Sequence, residues 1–459
     1  PLTIAAVIVL LFIFFGQLLF VAGGGEFFTD LAMAATGRTR GGSAKISVVA
    51  SALFGSISGS AVSNVVTTGV ITIPLMRKSG YSDKDAGATE PIASTGGQLT
   101  PPIMGAAAFL MADFLEVSYT KVAVAAVLPA LLYYFSVFIQ VDLIAARDPI
   151  SVSETGGASV GEIFREGWHF VVPFAVLLGA LFWWQVDPEN AALLSALSIV
   201  VVGSLRSYRG RRLTPKKLFD VFVDTGVSMV DLLLIVTAAG FVIGILNVTG
   251  LGFGLTLLLV DSVGGNLILI LLASAVICII LGMGMPTSGV YVLLAVLIAP
   301  SIVEAGVDPV AAHMFILYFG MMSMITPPIA LAAFAAAAIT RADPMQTGVA
   351  SMRIGWAAYV IPFVFVATPA LLFNGSGVEI LMALAQTGLG VLAISVAVAG
   401  FLSDRLAPPV RAVLAGLGLG CLPFAIASPV WASVNLICCV LVLAGLASSV
   451  VKARRSVKA

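Results

Sequence analysis

Apolar stretches long enough to enter a bilayer recur from end to end of this chain. Two of them carry the same interruption, Thr-Pro-Pro-Ile, at 100–103 and again 226 positions later at 326–329. Lipid offers no partner to a bare peptide N–H or C=O, so chain that crosses it is confined to helices or a closed barrel. A proline pair removes two backbone donors and keeps the preceding residue out of the α region. A helix containing either proline pair is therefore expected to unwind at Thr100 and at Thr326, leaving carbonyl oxygens unpaired there. At membrane depth such a break is tolerated only where protein or a wet cavity covers it.

Composition narrows the class. Of 459 residues, 60% are hydrophobic and 10% charged, whereas a soluble domain is about a quarter charged. A water-soluble globule is excluded, and at about 20 residues per span the ceiling is roughly a dozen membrane segments. Lys+Arg and Asp+Glu stand at 23 each, so there is no basic footprint for nucleic acid. The four cysteines lie inside apolar runs and read as small buried hydrophobes. Two histidines, His169 and His313, are too few for a His-rich metal site and read as structural. The fold class expected is all-α, a polytopic membrane protein. The chain opens at Pro1 inside an apolar run with no basic n-region, which reads as a fragment and not as a signal peptide. Basic clusters at 206–217 and 452–458 are expected on the cytoplasmic side.

Two apolar runs have the wrong length for simple spans. The run 44–76 is too long for one helix and short for two, and its centre is Ser56-Ile-Ser58-Gly59-Ser60-Ala-Val-Ser63-Asn64. The run 266–303 has Leu281-Gly282-Met-Gly284-Met-Pro286-Thr287-Ser288-Gly289 at its centre. Each is read as a re-entrant helical hairpin whose tip stops inside the bilayer, a kinked single span being the alternative. The 226-residue offset also takes Pro74 to Pro300, Gly80 to Gly306, Ala86 to Ala312, and Ala106-Ala107 to Ala332-Ala333. Two structural repeats follow, each a hairpin and a broken helix, and paired broken helices point to a transporter's binding site. The expected organisation is an entry and interfacial helix over 1–43, repeat 1 over 44–146, connecting scaffold and a cytoplasmic loop over 147–226, repeat 2 over 227–373, and extra helices with a basic tail over 374–459.

Hydroxyls and an amide at the tips (Ser58, Ser60, Ser63 and Asn64; Thr287 and Ser288), with carbonyls freed by the breaks, suit a small hard cation such as Na⁺. The bland alternative is close helix packing on small residues. Glu90 and Asp231 are the carboxylates nearest apolar sequence; an intramembrane position is functional by default, yet both could mark helix ends, and Glu90 before Pro91 suits an interface. Glu26 and Asp30 lie on an amphipathic stretch suited to the interface. Gly55-Ser-Ile-Ser58-Gly59 is G-x-x-S-G, not the G-x-S-x-G nucleophile elbow, and no strand precedes it. Catalysis is rejected.

The runs Gly37-Arg-Thr-Arg-Gly-Gly-Ser-Ala-Lys, Leu53-Phe-Gly-Ser-Ile-Ser-Gly-Ser-Ala-Val-Ser-Asn-Val-Val-Thr-Thr-Gly, Ala93-Ser-Thr-Gly-Gly-Gln and Leu281-Gly-Met-Gly-Met-Pro-Thr resemble the large membrane subunit of TRAP (tripartite ATP-independent periplasmic) transporters. The nearest likeness is to the TAXI-type branch, in which small and large membrane subunits are fused. The resemblance spans roughly 1–373 and implies Na⁺ symport by an elevator mechanism with inverted repeats, in a bacterial or archaeal inner membrane. It implies no cofactor beyond Na⁺ as coupling ion. The implied partners are a periplasmic solute-binding protein, a small membrane subunit and a small organic acid, typically a carboxylate. Carried over by residue, the ion and substrate sites fall on Ser58, Gly59, Ser60 and Asn64; Gly97, Gln98, Thr100 and Pro101; Gly282, Gly284, Pro286 and Thr287; and Ser323, Thr326 and Pro327. Na⁺ is assigned to Ser58, Asn64, Thr100, Gly282, Thr287 and Thr326. The small-subunit helices expected upstream are absent from this sequence. A passive channel and a proton-coupled carrier using Glu90 or Asp231 are the rival readings.

Overall fold

The computed structural model describes residues 2–151, 158–262, 264–424 and 429–458, so Pro1 and the Gly156-Gly157 pair of the first connection lie outside the described residues. Among the described residues helices are the only extended regular structure, beside two isolated β-bridges at Tyr208–Arg211 and Phe401–Arg405. Seven helices are long and apolar enough to cross a membrane, and the protein is a polytopic helical membrane protein.

The chain begins with α1 (Leu2–Val21), one of the seven, and α2 (Gly24–Thr36). The 44–76 run forms two helices, α3 (Gly42–Ser58) and α4 (Ala61–Lys78), packed on one another and joined at Gly59-Ser60. The first proline pair separates α5 (Asp83–Gly97) from α6 (Ala106–Phe114), and α7 (Tyr119–Arg147) follows. Three further spans and connectors lead onward: α8 (Val160–Trp183), α9 (Pro188–Leu205), α10 (Pro215–Thr249) and the shorter α11 (Leu251–Ser262). The 266–303 run becomes α12 (Leu267–Gly282), α13 (Thr287–Leu297) and a short α14 (Ala299–Glu304). The second proline pair separates α15 (Pro309–Met322) from α16 (Leu331–Thr340), followed by α17 (Pro344–Ile354) and α18 (Ala357–Ala367), which together make one span. Three helices close the chain: α19 (Gly377–Ala399), α20 (Pro408–Gly420) and α21 (Pro429–Lys458), with α19 seated on α7.

The 226-residue offset carries into element boundaries. It takes Ala61, the start of α4, to Thr287, the start of α13, and Asp83 of α5 to Pro309 of α15. The caps match as well: the Ser82 hydroxyl accepts from Asp85 N at 3.1 Å, and Asp308 accepts from Val310 N at 2.9 Å, each cap contributing about 1 kcal/mol. Both proline pairs are cis.

Each helix unwinds slightly earlier than its threonine. Glycines Gly96-Gly97 end α5, and the next N–H groups fold back by three residues, Leu99 N to Gly96 O at 3.0 Å and Thr100 N to Gly97 O at 3.1 Å. In the second break Ile325 N bonds Met322 O at 3.1 Å. Tightening the last turn in this way satisfies carbonyls that an α-helix end leaves bare.

The helices after the breaks cross over. α6 packs on α13 of the second hairpin, and α16 packs on α4 and α5 of the first. The first hairpin meets α5 backbone to backbone: a Cβ on Gly97 would stand 2.4 Å from Gly55 Cα. Gly97→Ala is expected to lower the unfolding free energy by about 1–3 kcal/mol through overpacking, read as a lower midpoint of thermal unfolding in detergent, with Ala88→Gly as a control of similar size elsewhere on α5.

Candidate functional site

Ser58 closes α3, and Gly59 turns the chain at φ +61°, where a Cβ would stand 2.5 Å from Gly105 Cα. Only glycine meets both the left-handed backbone and the close approach. Ser60 then caps α4, its hydroxyl accepting from Ser63 N at 3.3 Å. Asn64, fully buried, spans the hairpin: its Nδ2 donates to Ser51 O at 3.0 Å and its Oδ1 accepts from Thr68 Oγ1 at 3.1 Å. Ser58 Oγ is buried without a hydrogen-bond partner.

At the first proline break Gln98 is fully buried, its Oε1 accepting from Thr287 Oγ1 at 2.6 Å while its Nε2 has no partner. This bond ties the tip of the second hairpin to the broken helix of the first half. Thr100 donates to Gly96 O at 2.8 Å. In the second half Gly282 ends α12, Gly284 turns the chain at φ +78°, and Pro286 occupies the cap position before Thr287. Ser323 Oγ lies 2.9 Å from Gly282 O and 2.6 Å from Gly320 O. Thr326 Oγ1 donates to Met322 O at 2.6 Å and stands 2.7 Å from Tyr359 Oη. Pro101 and Pro327 each lead a cis pair.

The expectation that carbonyls at the breaks stay unpaired is corrected here. Tyr119 Oη lies 2.5 Å from Pro102 O and 2.9 Å from Ile103 O, and Ala332 N donates to Met324 O at 3.0 Å. Gly282 O takes the Ser323 hydroxyl. Apolar surroundings penalise a bare carbonyl, so nearby donors fold onto it. Met324 O also accepts from Ala333 N at 3.4 Å and Gly282 O from Met285 N at 3.4 Å, so both lone pairs of these two carbonyls are engaged.

The two tips meet on one cavity of about 500 Å³. Ser58, Gly59 and Ser60 enter its wall from the first hairpin, and Gly284, Pro286 and Thr287 from the second. Asn64, Gly97, Gln98, Thr100, Pro101, Gly282, Ser323, Thr326 and Pro327 do not line it; they lie at the breaks and in the packing around it. Four helices begin in that wall, at Ala61, Ala106, Thr287 and Leu331. None of the lining residues is charged. A helix N-terminus carries about half a positive charge, so the cavity is polarised toward an anion without a basic side chain, although Ser63 N at one start and Ala332 N and Ala333 N at another are already bonded within the chain.

Two polar lining residues escaped the sequence reading, Gln17 of α1 and Ser228 of α10. The only signal available was a lone polar residue within an apolar run. Asp231, one position before the lining Leu232, is exposed and outside the cavity. Glu90 does not mark a helix end: it sits mid-helix in α5 with no exposed surface, among serine and threonine hydroxyls. Glu26 and Asp30 pair with Arg211 at 2.6 Å and Arg209 at 3.2 Å, so the basic loop folds onto α2. His313 Nδ1 stands 2.7 Å from Tyr291 Oη inside the fold.

Comparison with known proteins gives a consistent set. The family described as "Tripartite ATP-independent periplasmic transporter, DctM component" matches residues 2–380. The C4-dicarboxylate TRAP transporter large permease protein DctM of Pseudomonas aeruginosa is 25% identical over 78% of this chain and 82% of its own length. The protein of the same name from Vibrio cholerae is 24% identical over 73% and 77%. The sialic acid TRAP transporter large permease protein SiaM of Vibrio cholerae is 22% identical over 70% and 74%. These relatives are transporter permeases and not enzymes, and they do not single out the TAXI-type fused branch.

The bond between the halves has a measurable consequence. Gln98→Ala and Thr287→Val together are expected to cost less than the sum of the two singly, by about 1 kcal/mol, the net worth of one buried hydrogen bond. Thermal unfolding of the four proteins of the cycle checks it.

Proposed function

The chain belongs to the DctM component family of tripartite ATP-independent periplasmic transporters, and from that premise we propose that it is a secondary active carrier for Na⁺-coupled uptake of a small organic anion bearing a carboxylate. Permeases of this family work with a periplasmic binding protein and a small membrane subunit. The observation that carries the substrate class is the uncharged cavity in which four helix N-termini converge. It holds an anion through backbone N–H groups and hydroxyls, and releases it without breaking a salt bridge. The relatives are named for a C4-dicarboxylate, for sialic acid and for 2,3-diketo-L-gulonate, each an organic acid.

Na⁺ is the coupling ion in this reading because the breaks around the cavity offer neutral oxygens. The unpartnered Ser58 hydroxyl, the Asn64 amide oxygen and the carbonyls of Pro102 and Ile103 at the first proline break supply them. Thr100 and its counterpart Thr326 at the breaks, with Thr287 at the second tip, complete the set. The two halves act as inverted repeats whose hairpins and broken helices move as one unit against the remaining helices, an elevator in a bacterial or archaeal inner membrane. The TAXI-type fused arrangement rests on sequence resemblance alone. A passive channel would conduct without the binding protein and would not accumulate substrate against a gradient.

Proteoliposomes holding the full chain with its small subunit and binding protein test the reading with radiolabelled succinate. Uptake is expected to fall about tenfold when K⁺ replaces Na⁺; equal rates in the two salts remove Na⁺ coupling. Ser58→Ala deletes an unpaired hydroxyl, so stability is expected to change by less than about 1 kcal/mol, while the Na⁺ concentration for half-maximal uptake rises several-fold.

A further inference from the structure

We propose that Glu90 is a proton-binding site of the transport cycle, reached through the Thr68 hydroxyl from a cavity with charged residues in its wall, beside the 206–217 loop. The proposal deepens the reading above: it rests on the chain being a coupled carrier and adds a proton to what it couples.

Glu90 lies apart from the cavity at the hairpin tips and has no exposed surface. Its Oε1 is 2.8 Å from Ser51 Oγ and 2.5 Å from Thr68 Oγ1; its Oε2 is 2.5 Å from both Ser47 Oγ and Thr72 Oγ1. Gly69 leaves room for it, since a Cβ there would stand 3.1 Å from Glu90 Cγ. The titratable groups on the surrounding helices are engaged elsewhere. Lys45 pairs with Asp142 at 2.7 Å, Arg77 with Asp83 at 2.6 Å and Arg353 with Asp85 at 3.0 Å. Arg147 pairs with Asp148 at 2.7 Å, and the Tyr133 and Tyr134 hydroxyls donate to the carbonyls of Ile92 and Ala93. Lys78 is exposed, Lys84 half-exposed, and Lys121 and Arg341 sit exposed at helix ends. Among the described residues, then, no cation is recorded on this carboxyl.

A buried carboxylate without a cation is held by hydrogen bonds to its charged form or is neutralised by a proton.

The hydroxyl ring can serve both states. Each hydroxyl has one hydrogen. With Glu90 ionised, Ser47, Ser51, Thr68, Thr72 and, at 3.3 Å, Ser94 donate to it. With Glu90 protonated, the Thr68 hydrogen turns to Asn64 O at 2.8 Å or Asn64 Oδ1 at 3.1 Å. The proton is thereby read at Asn64, one turn from the hairpin tip. Thr68 also stands in the wall of a second cavity, of about 490 Å³, together with Glu26, Asp30, Arg209 and Arg211. Glu26 Oε2 is buried there without a partner. A proton from water in that cavity joins Thr68 Oγ1 as the hydrogen already there passes to Glu90 Oε1. The threonine is unchanged and the carboxylate becomes a carboxyl group.

Packing does not require this cluster. The 226-residue offset places Ile316 at the position of Glu90, with Leu294 and Ile298 at those of Thr68 and Thr72. The second half fills the same positions with apolar side chains, so the carboxyl is an addition to one half only.

Infrared difference spectra of the purified full chain, acid buffer minus neutral, read the carboxyl without any substrate. The wild type is expected to gain a protonated-carboxyl carbonyl band of which one component is missing in Glu90→Gln. Thr68→Val, having lost one donor to the ionised form, is expected to show a larger band at the same acid pH. Spectra of Glu90→Gln identical to wild type overturn the proposal, and if that variant fails to fold, an unchanged Thr68→Val spectrum does so. In proteoliposomes at fixed Na⁺, an inward proton gradient is expected to speed succinate uptake several-fold in the wild type and to have no effect on Glu90→Gln; an equal response in both overturns it. A wild type that takes up no succinate under any gradient removes the substrate reading and leaves the infrared result to decide on Glu90.

Discussion

A peptide group released from a helix inside apolar protein must find a partner within the chain, because neither lipid nor a dry core supplies one. This chain releases such groups at four places, the two hairpin turns and the two proline breaks. What surrounds them follows from that need. The Tyr119 hydroxyl stands within reach of the carbonyls of Pro102 and Ile103, the first N–H groups of α16 cover Met324, and Met285 N and the Ser323 hydroxyl approach Gly282 O. Close glycine contacts, Gly55 on Gly97 and Gly59 on Gly105, bring the backbones near enough for the turns to be enclosed by neighbouring chain. The crossing of α6 onto the second hairpin and α16 onto the first closes the enclosure from the other side.

The same breaks create the electrostatics. A helix that stops and restarts presents fresh N–H donors and a positive dipole end, and four restarts face one cavity. In the reading proposed above, an anion is favoured there by fixed dipoles and not by mobile charged side chains, without an opposite charge that would need its own desolvation. The carboxyl of Glu90 is kept away from this cavity, and the two regions share α4. Ser60 and Ser63 at its start face the cavity, and Thr68 and Thr72 in its next turns reach Glu90. One helix therefore connects a neutral anion pocket to an isolated acid. In the carrier proposed here, that helix lets the protonation of one alter the geometry of the other.

Much of this was legible in the residues. Gly59-Ser60 and Gly284 to Pro286 announce turns because glycine accepts left-handed φ and proline cannot continue a helix. The doubled Thr-Pro-Pro-Ile announces both breaks for the same reason. The offset that aligned prolines also aligned helix starts, since each start depends on a local cap. The function class came from the same motifs, and the family match over residues 2–380 agrees with it. Other features had no local signature. Gln17 and Ser228 were single polar residues in apolar runs, indistinguishable from packing. Glu90 stood near the start of its run, just before Pro91, and suggested an interface, whereas four of its five hydroxyl partners come from α3 and α4, up to 43 positions away.

Sequence alone determined where the backbone must stop being helical, because that depends on the φ restriction and missing donor of proline, the freedom of glycine and the capping of the next turn. It also determined that the chain lives in lipid, because that follows from apolar run length. Only the tertiary structure decided which breaks meet, which carbonyls are covered and by whom, and that Glu90 is buried among hydroxyls. Those outcomes depend on which helix faces touch, and contact between segments distant along the chain leaves no periodic trace in either of them.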